Sequence, residues 1–278
     1  MNASFPVRDL GNVSVTALSD GYLEVGFNLL SNVDEKECEK IQRDAEISEP
    51  NAVHINTFLV RCNGKNILID SGAGGVKGWG GGLIANLARL NIEPEDIDAV
   101  LLTHAHPDHI GGLLNSEDEA LFNCAELIIS SDEYNYLESD ENFAAVSDRI
   151  KGNFLLARST FKKYQKKIRL IDSGEVFPGI FAIPLKGHTP GHTGYRIEGE
   201  HNSLVIWGDI VHFPHIQLSR PEVAIAFDYD PQMAAETRTR MLEAVSSDKV
   251  LVGGMHFGEQ AFGYIEKHEP GYRIVHKE

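Results

Sequence analysis

The chain has 278 residues, 42% hydrophobic and 24% charged, which is the composition of a folded globular protein. It carries 41 acidic against 25 basic residues, a formal net charge of −16. Such a surface repels phosphate backbones and anionic membranes, so neither nucleic acid nor a membrane is an expected partner. Cys38, Cys62 and Cys124 are odd in number and widely spaced, which implies free thiols and no disulfide framework. No apolar run approaches the roughly 20 residues of a membrane span, and the N-terminus lacks a signal-peptide pattern. The expectation is one cytoplasmic domain over residues 1–278.

In chain order, residues 13–19 alternate as a strand, and the acidic stretch 33–49 reads as helix and loop. Two β-rich runs, 54–62 and 66–70, flank Asn63-Gly64, a strong hairpin signal. A glycine-rich loop follows Asp70 as far as Gly82, and 83–91 has helical spacing. A short buried strand over 98–103 then delivers HAHPDH. Strand 126–130 and helices over 132–139 and 143–165 come next. Lys162, Lys163, Lys166 and Lys167, the one basic cluster, read as a solvated helix face. The second half returns to strands at 168–171, 180–185, 193–198 and 203–207. A helix over 231–245, the strand KVLVGG and a last strand near 272–275 complete the pattern. Two packed sheets with helices outside satisfy this order.

His104, His106, Asp108 and His109 fall within six residues. If the strand continued, His104 and His106 would share a face and could grip one ion. Asp108 and His109 lie beyond Pro107, where the chain must turn, and could reach a second. Gly111 and Gly112 permit close backbone packing there. Imidazole and carboxylate without thiolate suit zinc, iron, manganese or cobalt. His188 in GHTPGH, Asp209 in WGDIVH and His256 in GGMHFG each end an apolar strand beside glycine and are further candidates. A lone loop histidine is more often a surface or capping residue, so His54, His201, His215, His268 and His276 receive no role. His192 reads as a supporting or turn residue. Asp209 alone would be an ordinary turn former, and it gains weight only beside HxHxDH.

The segments LIDSGAG (68–74), THAHPDHIGG (103–112), GHTPGH (187–192), GD (208–209) and GMHF (254–257) resemble the metallo-β-lactamase superfamily, in that family's order and over most of the chain. The resemblance implies an α+β fold, an αββα four-layer sandwich with two divalent metal ions at one edge, zinc first among the candidates. It implies His104, His106 and His188 on one ion, Asp108, His109 and His256 on the other, and Asp209 bridging. Asp70 would support the site from behind.

True β-lactamases of this fold commonly place cysteine where Asp209 stands. Flavodiiron relatives replace the second motif histidine, here His106, with an acid. Lactonases often carry tyrosine three residues after the bridging aspartate, where this chain has His212. GDIVHFPHIQL…AFDYDP and the late GYR (271–273) are most similar to the branch holding methyl parathion hydrolase and related lactonases.

The function implied is a binuclear metal-dependent hydrolase. A metal-bridging hydroxide would attack a lactone, ester or phosphotriester, with Asp108 and His212 as the catalytic side chains. The alternative is a mono-iron oxidoreductase of the same fold, similar to persulfide dioxygenases. The partner is a small-molecule substrate, and relatives suggest a homodimer. Specificity is expected in loops 22–33, 71–82, 132–165 and 213–230. Trp79 would stand at the entrance, and Phe213 and Phe227 would form an apolar wall.

Overall fold

A computed structural model describes residues 5–276. The chain opens with β1 (Val7–Asp9), the long β2 (Val13–Glu24) and the two-residue β3 (Leu30–Ser31). Helix α1 (Glu35–Asp44) is capped by Asp34, which accepts from the Glu37 amide at 2.8 Å. β4 (Ala52–Cys62) and β5 (Lys65–Ile69) form the expected hairpin. Asn63 (φ 50°) and Gly64 (φ 72°) both adopt the left-handed conformation such a two-residue turn demands.

Then come α2 (Leu83–Arg89), β6 (Ala99–Leu101), the short α3 (Pro107–Ile110) and β7 (Glu126–Ser130). Three helices follow: α4 (Ser131–Glu138), α5 (Asp140–Ala145) and α6 (Asp148–Tyr164). The second half holds β8 (Ile168–Ile171), β9 (Gly174–Phe177), β10 (Ile180–Pro184), β11 (Thr193–Glu198) and β12 (Ser203–Ile206). It ends with α7 (Pro214–Ser219), β13 (Ala224–Ile225), α8 (Pro231–Asp248), β14 (Leu251–Gly253), β15 (Phe262–His268) and β16 (Gly271–Val275).

Two seven-stranded sheets result, in the orders β1-β2-β4-β5-β6-β7-β8 and β16-β15-β14-β12-β11-β10-β9. Strand alternation decides the layers. Phe58, Val60, Ile67 and Ile69 point into the core between the sheets, where Tyr195, Ile197, Leu204 and Ile206 meet them. Leu59 and Leu68 point the other way, under α2, α4 and α6. On the far side, Val205, Trp207 and Val252 pack with Met241, Leu242 and Val245 of α8. The architecture is the expected αββα sandwich, and strands buried on both faces explain the continuous apolar runs.

β5 runs parallel to β6, and β12 runs parallel to β14. The segments leaving these four strands carry Asp70, the HxHxDH motif, Asp209 and His256 to one edge of the sandwich. The glycine pair locks the first two together. A Cβ on Gly111 would stand 2.1 Å from the Ala73 carbonyl oxygen, and one on Gly112 2.1 Å from that of Ser71.

Four details depart from the sequence reading. β6 ends at Leu101, so His104 and His106 lie on an irregular connection and not on a strand. The expected helix over 143–165 is divided, with Val146 and Ser147 breaking α5 from α6. α6 ends at Tyr164, so Lys166 and Lys167 fall beyond it. The elements β1, β3, β9, α7, β13 and β15 lie outside those expected.

Candidate metal centre

All seven candidate side chains converge at that edge. Pro107 opens α3 at a position that needs no amide donor, and the turn places Asp108 and His109 in a second donor group while His109 still packs on His104 at 4.1 Å between ring centroids. His188 Nε2 lies 3.0 Å from His106 Nδ1 and 3.4 Å from Asp209 Oδ2, and His104 Nε2 lies 3.7 Å from the same oxygen. On the other side, His109 Nε2 and His256 Nε2 each lie 3.2 Å from Asp209 Oδ1. They stand 3.4 Å and 3.9 Å from Asp108 Oδ2. Two four-donor groups result, and within each group the donor atoms lie within 4.8 Å of one another. Asp209 belongs to both, offering one oxygen to each.

The outward ring nitrogens explain how the imidazoles are held. His109 Nδ1 donates to Asp70 Oδ2 at 2.7 Å, and His256 Nδ1 to the His54 carbonyl at 2.6 Å. The Thr103 hydroxyl gives its single proton to Asp70 at 2.7 Å, so at 3.1 Å it accepts from His104 Nδ1. His188 Nδ1 donates to Asp228 Oδ1 at 2.8 Å. With Nδ1 engaged outward, Nε2 of each ring faces the centre, which is the orientation a metal requires.

His192 is different. Its Nδ1 donates to the Leu185 carbonyl at 2.9 Å, and its Nε2 accepts from the Asp209 amide at 2.9 Å. Neither nitrogen is left for an ion, and the ring instead fixes the backbone of Asp209. Burial pushes its pKa down to about 3, which keeps it neutral.

The electrostatics of the centre are those of buried acids among imidazoles. Burial pushes the Asp209 carboxyl up, but His109, His256, His212 and His104 around it hold it well below the usual carboxylate range. Burial depresses His188, and the Asp209 and Asp228 carboxylates more than reverse this, lifting it to about 9. His212 is displaced downward by burial, against the pull of Asp209. Its Nε2 lies 3.1 Å from Asp209 Oδ2, and its ring stacks on His256 at 5.1 Å.

These residues fit a pair of divalent ions. His104 Nε2, His109 Nε2, His256 Nε2 and Asp209 Oδ1 are buried polar atoms with no hydrogen-bond partner. Burying such atoms unpaired is costly, and an ion satisfies several of them at once. The donors are nitrogen and oxygen only, in keeping with zinc, manganese, iron or cobalt.

A cavity of about 560 Å³ opens above both groups. Its floor is His106, Asp108, His188, Asp209, His212 and His256, and its walls include Leu23, Leu29, Trp79, Tyr136, Phe154 and Phe227. All four expected loops contribute. Phe213 does not line it, because its ring is buried against Phe27 with centroids 5.6 Å apart. Asp228 and Glu133 escaped the sequence reading. AFDYDP was visible as a motif, but nothing local tied its first aspartate to His188, and Glu133 carried no signal at all.

Residues 50–256 match the family model described as Metallo-beta-lactamase superfamily, and the chain belongs to that superfamily. It is 25% identical over 181 residues to an N-acyl homoserine lactonase of Bacillus cereus, covering 65% of this chain and 64% of that protein. It is 26% identical over 177 residues to an N-acyl homoserine lactonase of a Bacillus species, covering 64% and 62%. The chain thus spans less than two thirds of the length of these curated relatives. The solved structure of hydrolase AbOPH in the beta lactamase superfamily superimposes with a TM-score of 0.92 at 29% identity, over 100% of this chain and 99% of that one. AidC, a dizinc quorum-quenching lactonase solved with the product N-hexanoyl-L-homoserine, shares the fold with a TM-score of 0.91 at 24% identity, over 99% and 97%. Among the described residues no helix is long and apolar enough to cross a membrane.

Proposed function

We propose that this protein is a binuclear metal-dependent hydrolase of small lactones, esters or phosphotriesters. His104, His106, His188 and Asp209 hold one ion, and Asp108, His109, His256 and Asp209 hold the other. The observation that carries the reading is the pair of four-donor groups sharing Asp209 beneath a largely apolar cavity. The lactonase relatives support lactones as the first substrates to try.

When bound, two divalent ions supply a water nucleophile at neutral pH and Lewis-acid polarisation of the substrate oxygen. The chain's own groups do the rest. The apolar walls exclude solvent and seat the hydrophobic part of the substrate. Asp108, whose side chain keeps 13% exposure towards the cavity, is the proton relay. It accepts the proton released as water oxygen bonds to the acyl carbon or phosphorus, and passes it to the leaving oxygen as that bond breaks. His212, on the cavity floor with Nε2 3.1 Å from Asp209 Oδ2, is the side chain beside the oxygen on which negative charge develops.

The second group separates this reading from one-iron persulfide oxidation, for which the first group would suffice. Variants test it. His106→Ala and Asp209→Ala should each lose more than about 100-fold in lactone or ester turnover, beyond the range of a supporting residue, while keeping the native circular dichroism spectrum. Full metal content with normal turnover in both variants would sink the proposal, and oxygen uptake with glutathione persulfide would favour the oxidoreductase.

A further inference from the structure

We infer that Glu133 is a positioning residue that sets both loops of the first metal group from a single carboxylate, an inference resting on the two-ion reading above. Glu133 lies in the first turn of α4, directly after β7, and is 2% exposed. Its Oε1 accepts from the Ala105 amide at 3.0 Å. Its Oε2 accepts from the Thr189 hydroxyl at 2.6 Å and from the Gly191 amide at 3.0 Å. Ala105 sits between His104 and His106, and Thr189 follows His188. One side chain therefore ties together the backbones that carry all three imidazoles of the group.

Hydrogen bonds alone hold this carboxylate. No cation lies within ion-pair distance of Glu133 among the described residues. Burial of the carboxyl is costly without such a partner. An apolar side chain would avoid that cost but would strand the Ala105 and Gly191 amides and the Thr189 hydroxyl. The close approach is built into the neighbouring sequence. A Cβ on Gly191 would stand 2.2 Å from the Glu133 amide nitrogen, so the 188–192 loop presses directly on the start of α4.

The remaining ligand of the group is set by the same loop, since His192 holds the Asp209 amide. Glu133 also links this frame to the substrate wall, because Tyr136 and Leu137 of α4 line the cavity beside it. The second group has its own anchors, Asp70 on His109 and the His54 carbonyl on His256, and neither touches Glu133.

Cobalt titration of the metal-free protein, followed by d–d absorbance against a competing chelator, tests this. The variants are Glu133→Gln, which keeps one accepting oxygen but turns an amide N–H₂ towards a donor, and Thr189→Val, which removes only the shortest contact. Wild type should take up two equivalents. Glu133→Gln should weaken one of them by about 10–100-fold and leave the other within about threefold. Thr189→Val should weaken the same equivalent by a smaller factor. In a His106→Ala background, Glu133→Gln should have no further effect on the remaining equivalent.

Equal affinities in Glu133→Gln and wild type would overturn the inference while leaving the two-ion reading intact. So would a uniform weakening of both equivalents together with a lower melting temperature of the metal-free protein, which is what a general structural role would give. Failure of wild type to bind two equivalents would remove the functional reading itself and this inference with it.

Discussion

The Asp209 amide donates to His192 Nε2 at 2.9 Å, so the carboxylate shared by both donor groups is aimed by a histidine that cannot itself be a ligand. Gly208, with φ +59°, permits the approach, because a Cβ there would stand 2.3 Å from the same nitrogen.

His192→Ala should therefore be milder than His106→Ala. Removing the ring frees the Asp209 backbone but leaves all seven donors in place. A drop of about 10–100-fold in metal affinity is expected, against loss of one equivalent in His106→Ala. Elemental analysis after dialysis against graded chelator reads the difference. If both variants lose metal equally, the separation of ligands from supporting residues is wrong.

Asp70→Asn should act on the second group. The carboxylate accepts from the Thr103 amide and hydroxyl and from His109 Nδ1, each at 2.7 Å. The asparagine amide has one acceptor oxygen where three donors converge. His109, held directly, should lose its orientation and lower affinity for one equivalent by about 10–100-fold, with a smaller effect on the other through Thr103 and His104. Chelator competition on the purified variant provides the check, and unchanged binding of both equivalents would refute the role.

Arg238 tests the fold behind the site. It is 1% exposed, and it donates to the carbonyls of Ile210 at 2.6 Å and of Pro221 and Val223 at 2.7 Å each. These contacts hold the segment that carries His212 and α7 against α8. Arg238→Met keeps much of the volume but leaves the Ile210 and Pro221 carbonyls unpaired, while Val223 keeps its bond from Gln217 Nε2. It should cost about 2 kcal/mol or more, given about 1–3 kcal/mol per stranded group. Urea denaturation of the metal-free protein measures this, and a loss under about 1 kcal/mol would contradict it.

Phe227→Ala should impair recognition more than chemistry. The ring lines the cavity beside the metal groups without contributing a donor. A buried aromatic contact with an apolar substrate is worth about 1.5–3 kcal/mol, so KM for a long-chain ester should rise by roughly tenfold or more. The change for a short acetyl ester should be smaller. Equal effects on both would place the acyl group elsewhere.

The parts legible in the sequence were the local ones. Asn63-Gly64 specified its own hairpin, and HxHxDH with Pro107 specified two sets of donors, because in each case the geometry is written within a few residues. The end of β6 could not be read that way. Asp70 takes the Thr103 amide, drawing the chain out of the ladder just before His104. α7 was missed because six residues are too short to show a helical repeat. Asp228 lies 40 residues from His188, and Glu133 lies 58 from Gly191, so only the folded chain reveals either contact. Phe213 was expected in the cavity because aromatic type alone does not say which way a ring faces.

The most direct test of the two-ion hydrolase is metal analysis of the purified protein coupled to hydrolysis of an acyl-homoserine lactone before and after chelation. About two divalent ions per chain are expected, with turnover abolished by the chelator and restored by adding zinc, manganese or cobalt. Less than one ion per chain after loading, or turnover indifferent to chelation, would contradict it.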